Sequence, residues 1–396
     1  MAVGDEKSVL HDVNVWLAPT KTWLYSEITQ VQRGWICSAI AHRAENRARF
    51  PYSRVYVLRD EAGWLRWFVE ITGRRLGLWK QCPTLVAYIR RHRPVILHSH
   101  FGPVGWRNID AAAAAGAKHV VSFYGYDASQ LPRERGWRRR YLEMFESVDA
   151  VLCEGPHMAG VLAALGCPTD RIHVHRLGID LERIGFTVPS WHGARQLRLL
   201  MAARFDEKKG YPYALEALAL LAAARPTLDF GVTIVGRPSS KRQYRLEYSK
   251  MKAIISRADL ADRIEFHDYC THDELLELGS AHDLFVAPSV TAHDGDTEGG
   301  APVTIMEMAA AGLPVVSTRH CDIPFVLGAP NVDLLAPERD APALAGALAY
   351  LIDHPQEWPS IARENRAHLA SGFDVREQGK QLENLYARVF GSGDRA

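Results

Sequence analysis

Asp294-Gly-Asp-Thr-Glu-Gly-Gly-Ala-Pro-Val-Thr-Ile-Met-Glu307, running on through Met-Ala-Ala-Ala-Gly312-Leu-Pro-Val-Val-Ser317, is the stretch on which the fold turns. Gly299-Gly300 lets the backbone come close to a ligand, because no Cβ blocks the approach. Pro302 suits a helix start, where a missing N–H costs nothing. Residues 302–311 are good helix formers, and Gly312 ends the run. Pro314-Val-Val-Ser317 then reads as a strand. The pattern is a glycine loop, a short helix and a buried strand. Loop amides and a helix N-terminus together make a seat for a phosphate.

Glu298 sits in that loop and Glu307 in the second helical turn. Carboxylates beside a phosphate seat make sense if the ligand is a sugar nucleotide, whose hydroxyls donate to them. The segment resembles the paired-glutamate region of the retaining family 4 glycosyltransferases, and in particular bacterial exopolysaccharide and lipopolysaccharide members that carry E-G-G-A-P after an acidic lead-in. The resemblance implies the α/β GT-B fold, two Rossmann-like domains with parallel sheets facing a cleft. One departure stands out. The family spaces its glutamates E-x7-E, whereas Glu298 and Glu307 give E-x8-E. The extra residue falls in the Gly299–Ala301 turn, and either Glu298 or Asp296 is left to hold the donor sugar.

A chain of 396 residues has room for two domains. Its 47% hydrophobic and 23% charged residues are globular values. The six cysteines lack C-x-x-C spacing, which points to reduced thiols and away from a zinc cage. No signal-peptide pattern and no membrane-length apolar run are present, so a cytoplasmic protein is expected. Residues 1–190 carry 25 Lys and Arg against 18 Asp and Glu, whereas the remainder is acidic. A basic half suggests a face that meets something anionic, such as membrane headgroups or a lipid-diphosphate acceptor. No nucleic-acid motif accompanies the charge.

In chain order, residues 9–17 read as a first strand, followed by a helix expected to run through Ala41. Its Ser26-Glu27 start is similar to the family's S-E-T-F-I segment. The absence of G-x-G-x-x-G there counts against a dinucleotide enzyme. Residues 53–58 read as a second strand. Residues 62–80 read as an amphipathic helix, expected to pack on the sheet with a basic face in solvent. Its Trp64, Trp67 and Phe68 among arginines also allow a membrane-surface role. His98-Ser-His100-Phe-Gly102 resembles the family's H-x-H-F-G element. His100 is expected to point from a strand end, where open α/β sheets place ligands. Two histidines without a carboxylate or Cys nearby make a poor metal site. Phe123-Tyr-Gly-Tyr-Asp127 resembles F-H-G-Y-D with Tyr124 in place of the histidine, so no general base is assigned. Asp127 either fixes the turn or touches the acceptor. The basic run Arg133–Arg140 is a solvated helix face or a greeting to an anionic lipid carrier.

The expected domains are 1–183 on the acceptor side, with residues 373–396 crossing back to it, and 184–372 on the donor side. Arg204-Phe-Asp-Glu-Lys-Lys209-Gly210 resembles the family's diphosphate clamp, and Val232-Thr-Ile-Val-Gly236 its I-V-G element. The resemblance implies a glycosyltransferase taking a hexose from a nucleotide-diphosphate sugar to a glycan or lipid-linked acceptor, with no metal or other cofactor. Arg204 and Lys209 would neutralise the leaving diphosphate and Glu298 would hold the sugar, with His100 beside them. Gly236, Gly299, Gly300, Ala301, Pro302 and Glu307 would hold the nucleotide. An epimerase or phosphorylase on the same fold, and a non-catalytic partner subunit, stay open as alternatives.

Overall fold

The computed structural model describes residues 7–17, 23–236 and 242–391. The chain forms two compact units. One comprises Met1–Gly178 with Val375–Ala396, the other Ile179–Asp374.

Among the described residues the first unit is built on a seven-stranded sheet whose strand pairings are all parallel. In chain order its strands are β1 (Lys7–Trp16), β2 (Trp35–Ala44), β3 (Val55–Val57), β4 (Ile96–His100), β5 (Lys118–Ser122), β6 (Ala150–Cys153) and β7 (Ile172–Val174). Their spatial order is β3-β2-β1-β4-β5-β6-β7. Successive side chains point to opposite faces, and both faces are covered. Val9, Ile96 and Val120 pack with Leu382, Leu385 and Tyr386 of the C-terminal helix Val375–Gly391. Leu10 and Leu97 pack on the other side with Leu85, Ile89 and Ala111. Near-continuous apolar strands are what two-sided burial requires.

Two expectations fail here. The helix expected from Ser26 to Ala41 stops at Thr29, and residues 35–44 are β2. Gly34, at φ +74°, turns the chain. Trp35-Ile-Cys-Ser-Ala-Ile-Ala then pairs with β1 over its whole length, from Lys7–Trp35 to Trp16–Ala44. The helix Trp64–Arg75 forms within the expected span and packs Ile71 and Trp67 on the sheet side, but its outer face carries Trp64, Leu65, Phe68 and Val69 where a basic face was expected.

The second unit holds a five-stranded parallel sheet among the described residues: β8 (Leu197–Ala202), β9 (Phe230–Val235), β10 (Ile264–His267), β11 (Leu284–Ala287) and β12 (Val315–Ser317). The spatial order is β10-β9-β8-β11-β12. Leu197, Leu199 and Met201 pack against the helices Tyr211–Ala224 and Ala341–Asp353. The loops that leave the C-terminal ends of β8, β9 and β11 carry the residues singled out in the sequence. That end is where open parallel sheets bind ligands. Among the described residues no helix is long and apolar enough to cross a membrane.

Candidate active site in the second unit

The loop after β8 is pinned by Phe205, which is fully buried and packs against Tyr211 and Tyr248. A single turn follows at Glu207–Lys209, and Gly210 takes φ +67°. A Cβ at Gly210 would lie 1.8 Å from the Pro288 carbonyl oxygen, so the loop approaches the end of β11 as only glycine allows. The Val290 amide donates to the Lys208 carbonyl at 2.8 Å and locks the two loops together.

This locking aims two lysines at the segment 296–298. Lys209 Nζ lies 2.7 Å from Glu298 Oε1 and 2.8 Å from Oε2. Ser289 Oγ donates to Oε1 at 2.8 Å. Lys208 Nζ donates to the Thr297 carbonyl at 2.8 Å and stands 3.0 Å from Asp296 Oδ2. Burial alone would push the Glu298 carboxyl up, but the charges of Lys209 and Lys208 outweigh it and hold it down to about 2. Glu298 is therefore an anion wedged between a lysine and a serine.

From behind, the Glu298 amide donates to His320 Nε2 at 3.1 Å. His320 Nδ1 is 2.6 Å from Glu338, which also accepts the Thr291 amide at 2.7 Å. An Nε2 that accepts leaves the ring proton on Nδ1, facing the carboxylate. Gly299 follows at φ +82°, and Gly300 offers its carbonyl to the Asp322 amide at 3.3 Å. Pro302 caps the helix Val303–Ala311, with Ala301 half-buried before it. The turn and helix start thus sit directly after Glu298. Helix start and glycine turn agree with the sequence reading, with Pro302 one position earlier than the first helical residue.

Glu307, buried in the second turn of that helix, bonds His272 Nε2 at 2.7 Å. That bond raises the His272 pKa above its ordinary value. Arg204 leaves the β8 end more exposed, 3.3 Å from the Tyr244 hydroxyl and 3.8 Å from Asp206. Gly236 ends β9, and a Cβ there would stand 2.4 Å from the Ala203 carbonyl oxygen. The structure thus brings Lys209, Glu298 and the Gly299 turn into direct contact, with Arg204 on the same loop as Lys209.

His100 belongs to the first unit and is fully buried there. It lies 2.9 Å from His11 Nδ1 and 2.5 Å from the Tyr124 hydroxyl. His98 beside it bonds Tyr386 and Ser122, both at 2.7 Å. One nitrogen from each of His11, His98 and His100 falls within 4.8 Å of the others. A metal held by all three would have to displace one of these hydrogen bonds at His98, so the cluster reads as a bonded network. Asp127 accepts the amides of Gly102, Tyr124 and Gly125 at 2.9, 3.0 and 3.1 Å, which fixes the turn.

Sequence reasoning passed over Lys208, Ser289, His320, Glu338 and His272. Lys208 stood in plain view next to Lys209 in the Lys-Lys-Gly run. The others lie in unrelated segments and carry no motif that would have drawn attention to them.

The family pattern described as glycosyl transferases group 1 matches residues 196–354, and that described as glycosyltransferase family 4 matches residues 30–183. WcaL of Salmonella typhimurium, named for colanic acid biosynthesis, is 32% identical over 74% of this chain and 70% of its own. The chain belongs to the family 4 glycosyltransferases. The amylovoran biosynthesis glycosyltransferase AmsK of Erwinia amylovora is 32% identical to this glycosyltransferase, over 69% of this chain and 64% of its own. Among solved structures, Anabaena HepE in complex with UDP-glucose matches with a TM-score of 0.73 at 17% identity, over 96% of this chain and 99% of its own. That likeness is one of fold, and the fold of this glycosyltransferase is GT-B.

Proposed function

We propose that this glycosyltransferase moves a hexose, with retention of anomeric configuration, from a nucleotide-diphosphate sugar to a hydroxyl of a sugar or lipid-linked acceptor in the assembly of a bacterial surface polysaccharide. The observation that carries the proposal is Lys209 gripping Glu298 at the foot of the Gly299–Gly300 turn. It joins a cation, a sugar-binding carboxylate and a phosphate seat in one place. The names of WcaL and AmsK supply the polysaccharide context, and HepE with UDP-glucose the kind of donor.

Bond breaking at the anomeric carbon leaves a diphosphate anion and an oxocarbenium-like sugar. Arg204, Lys209 and the amides of the turn stabilise the anion as it forms. Glu298, held ionised, accepts from sugar hydroxyls. It is preferred to Asp296, because Glu298 directly precedes the Gly299–Gly300 turn and is the carboxylate that Lys209 grips. Glu307, oriented by His272, accepts from the ribose. A phosphate oxygen takes the acceptor proton, so no metal and no protein base is required. The protein would work in the cytoplasm, at the membrane surface where a lipid-linked acceptor resides.

The test is release of nucleoside diphosphate from a panel of UDP-, GDP- and ADP-sugars, with the anomeric configuration of the product read by NMR. Release from one donor class with a retained anomer supports the reading. Inverted product, or an isomerised donor without transfer, replaces it.

A further inference from the structure

The helix Trp64–Arg75 packs Ile71 and Trp67 inward yet turns a second apolar face outward. Its carboxylate Glu70 is 6% exposed, whereas Trp64 is 70%, Leu65 61%, Phe68 56% and Val69 54% exposed. Leu76 and Leu78 continue the patch just beyond the helix. This orientation is held by specific bonds on the inner side. Glu70 accepts the Thr84 amide at 3.0 Å and the Thr84 hydroxyl at 2.7 Å. Trp79 Nε1 donates to the Glu70 carbonyl at 2.9 Å, and its ring lies so close over Gly73 that a Cβ there would be 2.3 Å away. Arg74 stands 2.9 Å from His42 Nε2. Rotating the helix to bury its aromatics would break all of these contacts, so the outward apolar face is the stable one.

Soluble surfaces rarely leave so contiguous an apolar patch uncovered. On this helix the exposed residues are only apolar or cationic: Arg66 is paired with the buried Glu70 at 3.0 Å, and Arg75 is exposed beside the apolar face. A second copy laid on the same patch would bring Arg75 against a like charge with no exposed acid on the helix to meet it. An anionic lipid surface answers both features. Tryptophan and leucine side chains enter the headgroup boundary, and arginine stems reach back to phosphates.

We propose that this helix, with the Leu76–Leu78 loop, seats the first unit on an anionic lipid bilayer. The proposal rests on the glycosyl-transfer reading above and names the surface on which its acceptor would be met.

The experiment is co-sedimentation of the full chain with phosphatidylglycerol-containing and pure phosphatidylcholine vesicles, with tryptophan emission recorded. Salt-sensitive binding to the anionic vesicles and a blue shift are expected. The double variant Trp64→Ser/Phe68→Ser should bind at least about tenfold more weakly, from the apolar area lost. Arg75→Glu should weaken anionic binding several-fold. Both variants should keep the wild-type melting temperature and nucleotide release in solution. Absence of anionic-vesicle binding, equal binding by the double variant, or a dimer that the double variant splits would overturn the proposal. Vesicle binding without diphosphate release from any donor would instead sink the glycosyl-transfer reading and leave the surface standing.

Discussion

At the scale of the residue, two carboxylates show opposite fates of burial. Glu298 is buried with a lysine and stays ionised; Glu27 is buried with neither oxygen hydrogen-bonded, and burial pushes it up to about 8. Removing Lys209 alone strands the Glu298 charge, which costs about 3 kcal/mol for a pair of this kind. Lys209→Ala should therefore lower both the unfolding midpoint and diphosphate release, the latter by at least about tenfold. Lys209→Ala/Glu298→Gln should recover the midpoint without recovering release, and near-normal release by either variant would refute the role given to Lys209. For Glu27 the sign runs the other way. Its folded pKa lies above its unfolded one, so the folded chain keeps a proton that the unfolded chain loses, and stability falls as pH rises from about 4.5 toward 8. Glu27→Gln has no such proton to lose. By denaturant titration it should be more stable than wild type at pH 8, by on the order of 4 kcal/mol, with the two converging below pH 4.5. His272 adds a third pH signature. Its raised pKa favours the fold below the ordinary histidine value and ceases to do so as pH climbs through the raised one. The midpoint difference between wild type and His272→Gln should shrink between pH 6 and pH 9. How much of this was legible follows from chemistry. Lys209, Arg204 and Glu298 were readable because they lie in short ordered motifs. Ser289, at the head of the same loop, carried no motif; His320 was hidden because it meets Glu298 only through folding, and Glu338 because it acts on that site only through His320.

At the scale of the element, local signals succeeded where one element decides its own shape and failed where a neighbour decides it. The helix from Val303 to Ala311 carries its own start and stop, with Pro302 before it and Gly312, at φ +113°, after it. The segment 35–44 carries no such punctuation. Its alanines suit a helix while its Trp and isoleucines suit a strand, and parallel pairing with β1 decides between them. The helix at 64–75 has the right period and buries Ile71, but its outer face is apolar, because Thr84 and Trp79 claim its Glu70 side. Glycine gives the sharpest test at this scale. Gly210→Ala forces a Cβ against the Pro288 carbonyl in a left-handed residue. It should cost at least about 2 kcal/mol in denaturant titration and slow diphosphate release, since the same turn carries Lys208 and Lys209. Gly160→Ala, inside the helix Pro156–Ala164 with nothing near its Cβ, should be neutral or stabilise by about 0.5–1 kcal/mol. If both variants melt alike, the close approach at Gly210 is not what shapes the loop.

At the scale of the whole molecule, the chain leaves its first unit after Gly178 and returns to it at Val375. The returning helix Val375–Gly391 is part of the first unit's core, since Leu382, Leu385, Tyr386 and Val389 bury against Val9, Trp35 and Ile96. Its carboxylate Glu383 accepts the amides of Gln32 and Arg33 at 2.7 and 2.9 Å, at the turn that the sequence had read as helix. Tyr386 adds a hydroxyl 2.7 Å from His98 and an aromatic edge against Trp35. The first unit's sheet is thus completed only by residues that follow the whole of the second unit in the chain. A truncation of Tyr386 to alanine opens a cavity in that core and leaves a buried imidazole nitrogen without its partner, which together cost about 3–5 kcal/mol. The loss should appear in the first unit, more than 280 residues from the mutated position in sequence. Hydrogen exchange followed by mass spectrometry should show faster exchange in β1, β2 and β4, while β8 and β11 keep their protection. Donor-dependent diphosphate release, assigned by proposal to the second unit's residues, should fall less than the first unit's stability does. Uniform deprotection of both sheets would mean that the two units unfold as one, and the division of the chain into separately stabilised halves would have to be abandoned.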